Sequence, residues 1–198
     1  MEKFNDALNA IQHPVQTSDA LLNLFNSAKT LGVLTDLLRS NDTINVDVSS
    51  VYGTQTPLQV FAQEKNLGVV DILCEHGADV DNTYLGRTAL QHVAANKDVE
   101  DLDMLCLLID WGSQLDIQDN EGCTPSVLAA QANNSFILQI LLMVGVNIHL
   151  TNKAGSDLRE VCWEEQGACY QVLMDWVDSQ KIRDSLKAAR SLLYKIEK

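Results

Sequence analysis

Cysteine and histidine are the residues with which this chain of 198 residues could build a metal centre or a nucleophile. Four histidines are scattered along the chain, and its five cysteines are Cys74, Cys106, Cys123, Cys162 and Cys169. An odd number of cysteines without a CxxC pair matches no zinc-ligand spacing. We therefore expect reduced thiols, with Cys74 and Cys106 as small core residues, and no metal or other cofactor.

Catalytic sequence motifs are not evident either. The chain lacks a GxxxxGKS nucleotide loop, a GxSxG elbow, an HExxH helix and an EF-hand loop. We therefore expect a protein that is not an enzyme. One catalytic alternative stays open, a cysteine-based site towards the C-terminal end of the chain that uses Cys162, His149 and Glu160.

Charge is distributed unevenly along the chain. It has 14 Lys and Arg against 27 Asp and Glu, which gives a net charge of −13. Residues 181–198 hold six basic and two acidic side chains, so the first 180 residues carry a net −17. A body this acidic repels phosphate backbones, which disfavours nucleic-acid binding, and it attracts basic partners.

The composition indicates a soluble, helix-rich globular protein, with 46% hydrophobic residues, 21% charged residues and only 3 Pro. No apolar stretch is long enough to span a membrane. Glu2 and Asp6 stand where a secretory signal would have a basic end and an unbroken apolar run. We expect a cytoplasmic or nuclear protein, and delivery into a host cell by a signal-independent route is the alternative.

An internal repeat organises the sequence. One landmark is a glycine series with spacings of 33, 36 and 33 residues: Gly53, Gly86, Gly122 and Gly155. A second glycine series has spacings of 35 and 33 residues: Gly77, Gly112 and Gly145. Two landmarks in one register predict three regular units, at 52–84, 85–120 and 121–153.

Each unit repeats one pattern of two helices. After the first glycine comes a Thr-Pro or Thr-Ala pair: Thr56-Pro57, Thr88-Ala89 and Thr124-Pro125. Threonine is a good N-cap and proline suits the first helical position, so a short helix is expected to begin there. A second, more apolar helix follows. We expect it to end at the second glycine, because glycine tolerates the left-handed conformation after a helix.

This pattern resembles the ankyrin repeat family, whose sequence GxTPLHxAA…VVxLLxxGADVN is approached by residues 53–80 and 122–148. The resemblance implies an all-α fold, a solenoid of stacked helix–turn–helix units whose hairpin turns project to one side. The physics agrees, because a helix pair of this size cannot bury its apolar face alone and must stack on its neighbours.

Weaker units and flanking helices are expected at both ends of the array. Degenerate units at 18–51 and 154–180 would bring the total to about five repeats, and terminal repeats are atypical because each has solvent on one face. A capping helix is expected within 1–17, and a basic amphipathic helix at 181–198. We expect the latter to cover the last unit with its basic face over the acidic body. The alternatives are a helix that binds a partner or self-associates, and a helix on a membrane surface.

The resemblance also implies a protein-interaction module that binds through its turn tips and the outward residues of its first helices, on the concave face. We expect a monomeric small adaptor or inhibitor whose partner is another protein, one with a basic surface. The alternatives are an effector of a pathogen or symbiont that binds a host protein, and a structural repeat inside a complex. The candidate partner-binding residues are Tyr84, Leu85, Arg87, Asn96, Asn120, Glu121, Gln131 and Lys153.

Tyr84 and Leu85 are the most informative of these candidates. Two apolar residues at a polar turn tip would expose surface that an interface can use, and tyrosine is favoured in binding hot spots. The alternative is that Leu85 packs on the neighbouring hairpin and Tyr84 covers it.

Other prominent residues favour structural roles. The insertion at 96–103 is expected to be a solvated loop whose carboxylates suit the N-terminus of the following helix, with an acidic knob for a basic partner as the alternative. Trp111 is expected to be a half-exposed packing residue on the helical back, and Trp163 and Trp176 to anchor the C-terminal cap. His92 is expected to be a structural histidine with its hydrogen bonds satisfied.

Overall fold

The structure is a computed structural model that describes residues 55–97 and 101–196. Within these residues the regular secondary structure comprises eight helices and no strand. In chain order the helices are α1 Pro57–Gln63, α2 Leu67–Glu75, α3 Ala89–Ala94, α4 Leu102–Asp110, α5 Pro125–Gln131, α6 Ser135–Val144, α7 Leu158–Glu165 and α8 Ala168–Ile196. The expected helix within 1–17 and the degenerate unit at 18–51 lie outside the described residues.

The first helix of each pair begins where the sequence predicts. The side chains of Thr56, Thr88 and Thr124 each accept a hydrogen bond from the backbone N–H three residues further on, at the starts of α1, α3 and α5. Asp157 stands in the place of threonine before α7 and caps that helix through its carboxylate. Because such a cap stabilises a helix by about 1 kcal/mol, these starts are encoded locally.

Helices of the same kind stack on one another along the chain. The first helices α1, α3, α5 and α7 each contact the next, and so do the second helices α2, α4, α6 and α8. One continuous hydrophobic core results, in which the second helices bury several leucines completely: Leu73, Leu105, Leu108, Leu138 and Leu141. Burial stabilises the fold by about 1.5–3 kcal/mol per leucine. An isolated pair would leave one side of its core in water, so the pairs depend on stacking.

The second helices of the three regular pairs end at the predicted glycines. Gly77, Gly112 and Gly145 have φ angles of +84°, +86° and +95°. A Cβ atom in this left-handed region costs roughly 1–2 kcal/mol, which is why glycine follows the helix here. This prediction is confirmed.

The C-terminal helix differs from the expectation. Residues 168–196 form one continuous helix, α8, so the predicted boundary between 180 and 181 falls inside it. Ile182 and Leu186 are 63% and 60% exposed, and the expectation that this stretch caps the last unit is wrong for residues 181–187, all of which are exposed.

Helix geometry explains the difference. α8 packs on the rest of the protein through a face that includes Leu173, which is buried. At about 100° per residue, Ile182 lies nine residues further on and therefore half a turn around the helix. The apolar stripe of the C-terminal stretch consequently faces away from the core.

All five cysteines are free thiols, but they are not all buried. Cys74 lies in the core as expected, whereas Cys106 is exposed, so the expectation of a core position is wrong for Cys106. Cys106 stands two residues before the buried Leu108, on the outer side of its helix, where the other regular pairs carry Asp71 and Gln139.

Candidate functional site

Three hairpin turns form a row along one edge of the stack. In the first turn, Tyr84 and Arg87 exchange two backbone hydrogen bonds of 2.8 and 3.0 Å. The second and third turns are closed by the backbone N–H groups of Asp119 and Asn152, which donate to carbonyls four residues further on at 2.9 and 3.0 Å. All three turns immediately precede the capping residue of a first helix, so the helix starts fix their positions.

Neighbouring turns in this row are bonded to each other. The side-chain amide of Asn120 donates to the carbonyl of Leu85 at 3.2 Å. The backbone N–H of Lys153 donates to the carbonyl of Glu121 at 2.9 Å, and the amide of Gln118 donates to the carbonyl of Thr151 at 2.8 Å. The hairpin row, residues 84–87, 118–123 and 151–156, is therefore a connected surface.

Asp119 is the most heavily used side chain in the hairpin row. It is 8% exposed, and its Oδ1 accepts hydrogen bonds from the backbone N–H groups of Glu121 and Cys123, both at 2.9 Å. Its Oδ2 accepts from Nε of Arg87 at 2.9 Å, which links the second turn to the first. The sequence analysis missed Asp119; the available signal was the acid or amide at the same place in two units, Asp119 and Asn152, which are 33 residues apart.

Leu85 occupies the apex of the first turn in an unusual conformation. Its φ angle is +52° and that of Gly86 is +79°, the pattern of a two-residue turn with both central residues at positive φ. A leucine in this region is strained by about 1 kcal/mol relative to glycine or asparagine. Its side chain is nevertheless 73% exposed, whereas Tyr84 beside it is half-buried.

The eight candidate partner-binding residues fall into two groups. Six lie on the hairpin row: Tyr84, Leu85, Arg87, Asn120, Glu121 and Lys153. The other two, Asn96 and Gln131, are exposed at the C-terminal ends of α3 and α5. A helix of this length separates the two groups by about 10 Å. Asn96 is tied to the next pair, because the side-chain amide of Asn134 donates to its carbonyl at 3.0 Å.

His92 differs from the expectation of a fully satisfied histidine. Its Nε2 is buried and has no hydrogen-bond partner among the described residues, and the same holds for Oδ2 of Asp101. Burial, followed by the charge of Arg87, lowers the pKa of His92, although a hydrogen bond with the backbone of Tyr84 opposes this. Both residues line a small cavity of about 70 Å³, large enough for one or two water molecules.

The insertion at 96–103 is only partly described, since residues 98–100 lie outside the described part. Asp101 is buried at the N-cap of α4, and Nζ of Lys65 lies 3.1 Å from its Oδ1. Its carboxylate is therefore paired with the preceding helix pair. The expectation of a solvated carboxylate is wrong at this position.

The tryptophans occupy different environments. Trp176 is half-buried, and its Nε1 donates to the carbonyl of Leu142 at 3.1 Å, which anchors α8 on α6 as expected. Trp111 is 38% exposed, and its Nε1 donates to Asp71 at 2.9 Å across two helix pairs. Trp163 is 60% exposed, so the expectation that it anchors a C-terminal cap is wrong.

The cysteine-based alternative finds no support in the geometry around Cys162. Its thiol is fully buried, and burial, with smaller contributions from Cys169 and Asp157, raises the pKa of Cys162 to about 12. A thiol in this state is a poor nucleophile, because the thiolate is the reactive form. Glu160, the proposed companion, is exposed and serves the cap of α7.

Two general searches of the described residues complete the picture. No group of three or more His, Cys, Asp or Glu side chains in residues 55–97 and 101–196 is arranged to hold a metal ion. Among the same residues, none of the helices combines the length and the apolar character needed to cross a membrane.

Stacked helix pairs with projecting hairpins define a helical repeat protein, a class that works as a quasi-one-dimensional array. The family model for ankyrin repeats (3 copies) matches residues 24–119 of the chain. The chain therefore contains ankyrin repeats, and the fold predicted from its sequence is confirmed. The pair α5 and α6 lies beyond the matched residues, but it has the same threonine cap, terminal glycine and stacking contacts. Ankyrin repeats are generally protein–protein interaction modules, and the family is typically non-catalytic.

Proposed function

We propose that this chain binds a partner protein, without catalysis, through the hairpin row and the C-terminal ends of the first helices. This face is the concave side of an array that we place at residues 18–180. Since no motif for a reaction accompanies the repeats in the sequence, a small adaptor or an inhibitor is the role that fits best.

Leu85 is the observation that carries this proposal. A leucine at positive φ costs stability, and a side chain that is 73% exposed recovers little of that cost by packing on this chain. Strained backbone that the fold does not need is concentrated at binding and catalytic sites. Burial of Leu85 against a partner supplies the missing gain, and Tyr84 beside it is of a residue type enriched in binding hot spots.

The expected partner presents a basic surface to this face. The first 180 residues carry a net −17. On the hairpin row itself, Arg87 is neutralised by Asp119 at 2.9 Å, while Glu121 is exposed. Such a field raises the association rate of basic partners and disfavours nucleic acids.

The proposal is tested with the variant Tyr84→Ser/Leu85→Ser in affinity capture from the native source, quantified by mass spectrometry. The matched control is Phe136→Ser/Met143→Ser, which removes apolar side chains of 53% and 75% exposure from α6, one of the second helices. We expect capture of the partner to fall about tenfold or more for the first variant and to stay unchanged for the control.

Thermal melting separates binding from folding in this test. The Tyr84→Ser/Leu85→Ser variant should melt within a few degrees of the wild type, because Leu85 makes little contact within the chain. Full capture by this variant, or loss of capture only together with a collapse of melting, would contradict the proposed face.

A further inference from the structure

The last helix pair carries a tryptophan where the regular pairs carry an alanine. Counted from the capping residue, Trp163 of α7 takes the place of Ala62, Ala94 and Ala130. Those alanines are 2%, 0% and 0% exposed, because the next first helix of the stack lies against them. Trp163 is 60% exposed. An indole is far larger than a methyl group, so a further helix pair could not stack on α7 with the same spacing.

Trp163 belongs to an aromatic pair at the edge of a groove. Its ring lies 5.6 Å from that of Tyr170, at an angle of 70°, so that the two rings meet edge to face. On one side of the pair a groove of about 720 Å³ runs between α7 and α8, with Met174 and Val177 on its apolar wall. On the other side a shallower depression of about 330 Å³ is lined by the same two rings and Gln166.

The rim of the groove is acidic. Arg159 is held by Asp157, with Nη2 and Nε at 2.7 and 3.0 Å from Oδ2, so the charges of these two residues compensate each other. Glu160 and Glu164 also line the groove, and neither forms an ion pair with a basic side chain of the described residues. Two carboxylates therefore face solvent beside two exposed or half-exposed aromatic rings.

We propose that this terminal groove, formed by Trp163, Tyr170, Met174, Val177, Glu160 and Glu164, is a second protein-binding site. Its occupant is a partner segment in which an arginine or lysine side chain lies next to aliphatic ones. The cation stacks on the indole face and its charge is balanced by the two glutamates, while the aliphatic side chains cover Met174 and Val177. The site is separate from the hairpin row and does not depend on it.

Charge complementarity and the combination of surfaces favour this occupant. An anionic segment would meet two uncompensated carboxylates. A purely aliphatic segment would leave those carboxylates at the edge of a contact without partners, which is costly. Tryptophan is the aromatic side chain with the strongest attraction for cations, and such contacts contribute most where water is partly excluded.

The test uses the full chain and two synthetic probes, a short capped peptide of arginine, leucine and alanine and the same peptide with glutamate in place of every arginine. Binding is followed by fluorescence anisotropy of the labelled peptide and by the indole N–H signal of Trp163 in NMR spectra, assigned with Trp163→Phe. We expect the arginine peptide to bind and to shift this signal, and the glutamate peptide to do neither.

Variants then locate the site. Trp163→Ala installs the residue that the other first helices carry, and we expect it to raise the Kd about tenfold with little change in melting. Glu160→Gln/Glu164→Gln keeps a capping side chain at position 160, and we expect a Kd about threefold higher at low salt, with the difference vanishing at high salt. Trp111→Phe on another helix pair, and Tyr84→Ser/Leu85→Ser on the hairpin row, should leave the Kd unchanged.

Three results would overturn the terminal groove as a binding site. They are equal affinity of the two peptides, an unchanged Kd for Trp163→Ala, and a Kd that rises in the hairpin-row variant instead. Because the hairpin-row variant is measured alongside, failure of this site and failure of the proposed function give different patterns.

Discussion

Replacing Asp119 with alanine should destabilise the protein more than any other change on the hairpin row. The carboxylate is 8% exposed and accepts three hydrogen bonds of 2.9 Å. Two come from the backbone N–H groups of Glu121 and Cys123, and one comes from Arg87 in the preceding turn. Asp119 therefore holds its own hairpin in shape and joins it to its neighbour.

The magnitude follows from what each donor loses. Cys123 is buried, so its N–H is left without an acceptor, at about 1–3 kcal/mol. The bond to Glu121 is only partly buried and contributes about 0.5–1 kcal/mol. The side chain of Arg87 is 36% exposed, which limits the ion pair to about 1 kcal/mol. We expect Asp119→Ala to lower the free energy of unfolding by about 3 kcal/mol.

Asp119→Asn is the matched control, and urea unfolding monitored by circular dichroism measures both variants. The third hairpin shows that asparagine suffices for the backbone bonds, because Oδ1 of Asn152 accepts from Ala154 and Ser156, both at 3.0 Å. Asp119→Asn should therefore cost only about 1 kcal/mol, through the lost ion pair. Asp119→Ala within about 0.5 kcal/mol of the wild type, or Asp119→Asn as damaging as alanine, would refute this reasoning.

Three further predictions concern other parts of the fold. Gly77→Ala, at φ +84° with open space around it, should cost about 1 kcal/mol, and Gly86→Ala, at φ +79°, should cost more in urea unfolding because its Cβ meets the side chain of Asn120; equal costs would contradict the packing of Asn120. Of the five thiols, Cys106 alone should react with iodoacetamide in the native protein, and slowly, because burial and the charges of Asp110 and Asp103 raise its pKa; labelling of Cys162 detected by peptide mass spectrometry would contradict its burial. The pKa of His92 is lowered in the folded state, so protonation favours unfolding and stability should fall as the pH drops below about 6.5; His92→Gln should flatten this part of the stability curve, and an unchanged slope would show that other groups produce it.

Features encoded by single residues were predictable from the sequence. The threonine caps and the helix-terminating glycines recur at fixed places because a cap or a left-handed residue needs one particular side chain, whatever surrounds it. Their common register then gave the stacking, since a lone pair cannot bury its core. The exposure of Cys106 was also within reach, because the equivalent residues in the neighbouring pairs are Asp71 and Gln139.

Features that depend on the combination of elements were not predictable in the same way. The apolar stripe through Ile182 and Leu186 favours a cap only if it is in phase with the packing face of its helix, and the phase depends on where α8 begins. The strain at Leu85 comes from a turn with two residues at positive φ, which a leucine does not signal. The carboxylate of Asp119 acquires its partners only when the turns lie side by side.

Hydrogen–deuterium exchange of the chain with and without its captured partner tests the central claim directly. If the hairpin row and the ends of the first helices form the docking face, then the backbone amides of 84–87, 118–123 and 151–156 slow in the complex, while those of α2, α4 and α6 keep their rates. Protection confined to α2, α4 and α6, with the hairpin amides unchanged, would place the partner on the second helices and contradict the account.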